Sequence, residues 1–130
     1  MKKILLLLFF VAFNTYSQNW ISTYIKYKDG YKIEDQISDN YENKQDGIIT
    51  IWQKTLCEKY DYNGIVYSDS YFLALMNYDI SNKKARTLKI IFYSSKGEVV
   101  DRSDEISDWD YIIPGTNENI VFNFLKKKYY

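Results

Sequence analysis

The sequence predicts an α+β fold, an antiparallel β-sheet meander of about five to six strands with a C-terminal helix packed on one face. Three observations carry that expectation. Most of the chain alternates between apolar and polar positions in segments rich in Tyr, Ile and Val, the period of a sheet with one covered face. Short turn signals separate those segments. Finally, the only proline, Pro114, divides an aromatic-aliphatic run from a tail whose apolar residues recur at helical spacing.

The N-terminus stands outside this pattern. Lys2 and Lys3 precede an apolar run from Ile4 to Phe13, and Thr15-Tyr16-Ser17 puts small residues before Gln18. That arrangement reads as a secretory signal peptide over residues 1–17, leaving a single domain over 18–130. The apolar run falls short of the roughly 20 residues that span a bilayer, so no membrane span is expected after its removal. The expected location is exported, in the periplasm or at the cell surface. Without Lys2 and Lys3, 15 of the 17 basic residues remain against 17 acidic ones, a net charge of −2, which argues against nucleic acid as the partner.

Taken in order, "NWISTYIKY" and "YKIEDQI" flank Asp29-Gly30 and read as a hairpin. "DNYENKQDG" is polar and turn-rich, and "IITIWQKTL" is a strand by its branched and aromatic content. "DYNGIVYSDS" reads as a loop. "YFLALMNYDI" and "ARTLKIIFYSS" should pair antiparallel across Ser81-Asn82-Lys83-Lys84, and Ser95-Lys96-Gly97 turns the chain into the short strand "EVVDRS". The acidic stretch "DRSDEISDWD" lacks the Gly-punctuated spacing of a calcium loop and reads as a solvated loop. Pro114 ends the extended "WDYII", Gly115 permits a change of direction, and Thr116 caps a helix running to about Lys128. Ile120, Val121, Phe124 and Leu125 form its expected apolar stripe.

Chemistry is constrained mainly by what the chain lacks. There is no histidine, which removes Cys-His and Ser-His-Asp catalysis and the commonest metal ligand. Cys57 is the only cysteine, so no intrachain disulfide forms, and the alternating segment around it suits a buried structural thiol. Asp29-Gly30 and Asp46-Gly47 have no Gly-rich series around them and hold no phosphate. The expected protein is therefore not an enzyme and carries no cofactor or metal. Fourteen tyrosines leave two readings open, strand residues favoured by composition or a tyrosine-studded contact face.

Trp20, a strand ending in Trp52, the hairpin around "NYDISNKKARTLKIIFY", the Gly97 turn and above all "WDYIIPGT" before a terminal helix give the chain its likeness to a known family. It resembles the surface-adhesin protein E family of small exported bacterial domains. The resemblance implies an antiparallel sheet with a C-terminal helix on its concave side, and adhesin-like binding of a protein or glycan at the cell surface. It also implies a disulfide from the central strand to the chain's end, which this sequence replaces with Ile80 and the cysteine-free tail "FNFLKKKYY". From the residues themselves, Lys126, Lys127 and Lys128 with Tyr129 and Tyr130 form a candidate basic, aromatic contact for acidic glycan or matrix protein. The same lysines suit the end of a helix dipole. A periplasmic immunity- or inhibitor-type protein that binds a toxin or enzyme is the alternative function.

Overall fold

A computed structural model describes residues 19–130, and the expected signal peptide lies outside them. The elements are β1 (Trp20–Lys28), β2 (Tyr31–Ser38), β3 (Asn43–Gln45), β4 (Ile48–Tyr62), β5 (Ile65–Asp79), β6 (Lys84–Tyr93), β7 (Val99–Ser103), β8 (Asp110–Tyr111) and α1 (Asn117–Tyr129). They form an antiparallel, eight-stranded sheet in the order β1-β2-β4-β5-β6-β7, with β3 beside β4 and β8 beside β6. The two short strands take the total above the five to six expected. A two- or three-residue strand is too brief to leave a period in the sequence.

Hairpin geometry follows from three two-residue turns. Asp29 and Gly30, Asp46 and Gly47, and Asn63 and Gly64 all have positive φ, at 53° and 81°, 55° and 77°, and 52° and 82°. Such a turn matches the right-handed twist of its flanking strands, and Asp-Gly and Asn-Gly adopt it at least cost. The third turn corrects the expected loop at residues 61–70. Pairing runs unbroken from Tyr62↔Ile65 to Cys57↔Ser70 except at Glu58 and Asp69, so β4 and β5 are 15 residues each. Asn-Gly between Tyr62 and Ile65 was the signal for it, hidden by the polar residues on either side.

Where the ladder skips Glu58 and Asp69, Asp69 takes a φ of 53°. One residue is skipped on each strand, so the pairing register is the same on both sides, and beyond the skip the Tyr60 ring falls on the face of Phe72, 5.1 Å from it. The rings of Tyr60, Tyr62 and Tyr67 then come to 5.5, 5.3 and 5.2 Å from that of Phe92, which stacks on Phe72 at 4.5 Å. The hydroxyl of Tyr62 donates to Asp101 beyond β6.

The helix begins as its sequence dictates. Thr116 Oγ1 accepts from the Asn119 amide at 3.3 Å and donates to the Ile113 carbonyl at 2.7 Å, while Glu118 occupies the first turn and Lys126, Lys127 and Lys128 the last. Val121, Phe122 and Leu125 are buried on Ile37, Ile49, Ile51, Met76, Tyr78, Ala85 and Ile112. The expected stripe is therefore rotated. Ile120 is only partly buried, and Phe124 packs from the flank, because a helix presents positions 121, 122 and 125 to a sheet together, with 129 one turn on. Cys57 is buried, and burial pushes its thiol pKa up, as befits a structural thiol.

Candidate functional site

With α1 on one face, the other face of the sheet carries no helix among the described residues. Alternation along β4 and β5 puts Trp52, Lys54, Leu73 and Leu75 there, opposite in sense to the core residues Ile49, Ile51, Met76 and Tyr78. Across the strands, Lys54 Nζ lies 5.4 Å from the Trp20 ring and 4.8 Å from that of Tyr71, and Tyr71 stacks on Tyr93 at 4.9 Å. A second row runs from Trp52 through Leu75 to Lys89 by direct register. In a third, Arg86 Nε donates to Asn77 Oδ1 at 2.9 Å and its guanidinium lies 4.4 Å from the Trp109 ring. All three tryptophans of the chain thus gather on the helix-free face.

The electrostatics of these rows differ. Arg102 and Lys89 share the Asp104 carboxylate, at 3.1 and 3.7 Å. Lys54 has no carboxylate within ion-pair distance among the described residues, and burial between two rings holds its pKa below the ordinary lysine value. A partly dehydrated ammonium facing aromatic planes keeps its attraction for an incoming acceptor, because solvent screens it less.

A concavity lies on the helix side, between the first turn of α1 and the sheet beyond it. This groove of about 560 Å³ is lined by Lys26, Asp35, Gln53, Thr55, Phe72 and Glu118 among others. Asp35 accepts from Thr55 Oγ1 at 2.7 Å. Burial pushes its carboxyl pKa up and Glu118 adds to the rise, against the opposing Thr55 hydrogen bond and Lys26. An acid whose folded pKa is raised makes the native state hold a proton the unfolded chain has released, so its ionised form lowers stability at neutral pH. Asp35→Asn, which keeps an acceptor for Thr55, should therefore raise the denaturation midpoint at pH 7. That advantage should shrink as pH falls through the raised pKa, and an advantage that grows in acid would contradict the assignment.

The tail residues singled out from the sequence are partly used internally. Lys126 and Lys127 are exposed. Lys128 Nζ donates to the Asp39 carbonyl at 2.9 Å, Tyr129 OH reaches the same carbonyl at 3.4 Å, and the Tyr129 ring meets Tyr41 edge-on at 5.0 Å. Lys44, which sequence reasoning missed, donates to the Tyr129 carbonyl at 3.1 Å and lies 4.6 Å from the Tyr130 ring. Only register could have revealed it, because β3 is what sets Lys44 beside the chain's end. Lys128 and Tyr129 thus anchor the helix end to the β2–β3 connection.

Among the described residues no group of three or more acidic or thiol side chains is placed to hold a metal, and no helix is long and apolar enough to cross a membrane. The architecture defines an α+β domain with one helix-covered and one aromatic, cationic sheet face. No family model, curated protein or solved structure matches the chain.

Proposed function

We propose that this protein is an exported, non-enzymatic interaction module of the surface-adhesin protein E type, binding a protein or glycan at the cell surface through the helix-free face of its sheet. The observation that carries the reading is that Trp20, Trp52 and Trp109 all lie on that face, spread across the sheet from β1 to β6 and interleaved with Lys54, Lys89 and Arg86. Trp, Tyr and Arg dominate the energetics of interfaces because they bring large rigid area with a polar handle. Cys57, the chain's only cysteine, has a buried thiol whose pKa burial pushes up, which suits a structural rather than a nucleophilic role. Lys126 and Lys127, with Tyr130, add a smaller basic contact at the helix end.

The test is retention of purified protein on cell-envelope material and on immobilised glycans. Trp52→Ala with Lys54→Ala should weaken binding by roughly 30-fold, the effect of losing a 2 kcal/mol interface anchor, while the circular dichroism spectrum stays that of the parent. Undiminished retention by a folded double variant would remove the face from consideration.

A second reading, a periplasmic inhibitor- or immunity-type partner of a toxin or enzyme, is favoured by the helix-side groove. Asp35 and Glu118 there would accept a basic side chain from a protein partner.

A further inference from the structure

The helix-side groove leaves more hydrogen-bonding capacity unmet than that of its two acids. Gln53, only 9% exposed, is one of its lining residues. The carboxamide oxygen takes the Tyr78 hydroxyl, whereas Nε2 has no hydrogen-bond partner among the described residues and is not sealed from solvent. Its two N–H donors therefore open into the groove. Asp35 is half-buried, and Thr55 engages only its Oδ1. Glu118 enters from the first turn of α1, where the positive end of the helix dipole suits its charge. Neither carboxylate has a cation within ion-pair distance among the described residues. Apolar walls lie between them, with Ile33, Phe72, Met76 and Ile90. Thr23 Oγ1 lies 2.8 Å from Asn117 Oδ1 and 3.1 Å from the Asp35 carbonyl, which ties sheet to helix and fixes the groove before a ligand arrives.

We infer that this groove binds an arginine residue of a partner polypeptide, its guanidinium between Asp35 and Glu118 and its peptide carbonyl on Gln53 Nε2. The inference rests on the inhibitor-type reading for its site and adds the group that fills it. Three properties select that occupant. Two carboxylates, one on the sheet and one on the helix, call for a cation with N–H groups on separate edges, which a guanidinium offers and a compact ammonium does not. Apolar walls suit the arginine stem and exclude a hard metal ion, which demands about six or more oxygens. Gln53 Nε2 only donates, so the ligand must carry an acceptor as well as a cation, and a peptide does. At about 560 Å³ the groove is of a size to take one such side chain with the backbone around it.

N-acetyl-arginine methylamide, titrated into isotope-labelled protein, should move the Gln53 side-chain amide signals and raise the denaturation midpoint. The citrulline analogue has the same shape without the charge and should bind about tenfold more weakly. Propylguanidine keeps the cation but lacks the carbonyl, and it should bind severalfold more weakly. Asp35→Asn, expected to stabilise the free protein, should nevertheless lose about tenfold in affinity for the arginine probe, a loss that unfolding cannot explain. Glu118→Gln should act in the same direction. Absence of probe binding, equal binding of the citrulline analogue, signal shifts confined to residues outside the groove, or an Asp35→Asn variant that binds as the parent does would each overturn the inference. The inhibitor reading fails separately. If the protein slows no exported enzyme or toxin, binding of the arginine probe should still be seen, whereas inhibition undiminished by Asp35→Asn would overturn the groove's role alone.

Discussion

Phe122→Ala is expected to lower the unfolding free energy by about 3–5 kcal/mol, the range for deleting a buried aromatic ring. Phe122 is 3% exposed and sits between Val121 and Leu125, both fully buried, in the cluster that joins α1 to the sheet. The loss has two parts, transfer of the ring from water and the cavity left where β4, β5 and the helix cannot close. Phe124→Ala should cost distinctly less, because that ring lies at the flank and keeps part of its surface in water. Denaturant midpoints at constant slope measure both. If Phe124→Ala proved the more damaging, α1 would have to be rotated from the orientation described.

Tyr78→Phe should cost about 1–3 kcal/mol through a polar defect, since almost no volume is lost. Tyr78 is fully buried and its hydroxyl donates to Gln53 Oε1, itself in a residue only 9% exposed. Removing the hydroxyl leaves that oxygen without its donor in a place water hardly reaches. Replacing Gln53 with Leu as well should restore part of the loss, and a double-mutant cycle reads the coupling. The same pair has a pH signature. Burial holds the Tyr78 pKa well above 10.0, with Glu118 and Asp35 adding to the rise against the Gln53 hydrogen bond. Above the unfolded value the unfolded chain loses a proton that the native state retains, so stability should fall as pH rises past about 10. Tyr78→Phe should flatten that decline, and an unchanged alkaline slope would mean that the ring is not held as described.

The elements were legible wherever a local rule operates over enough residues. Asp29-Gly30 and Asp46-Gly47 marked tight turns, and Pro114-Gly115-Thr116 marked the strand-to-helix transition. The miss at residues 61–70 came from weighing the polarity of Asp61, Asn63, Ser68 and Asp69 above the Asn63-Gly64 signal. Those residues belong to a hairpin that runs past its neighbouring strands, where polar side chains cost a strand little. The Phe122 miss has a different origin. Ile120 and Phe124 are as apolar as Val121 and Phe122, and periodicity cannot choose between two stripes one residue apart until a sheet is placed under one of them.

From its own residues the chain determined its fold class, its turns and the start of its helix, because those depend on contacts within a few positions. Which strands end the sheet, which face is left without a helix, and why Trp20, Trp52 and Trp109 share that face depend on pairings between residues dozens of positions apart. Period-2 alternation says that a strand has two faces but not which of them the helix will cover. Only closing the sheet and laying α1 across it decides that.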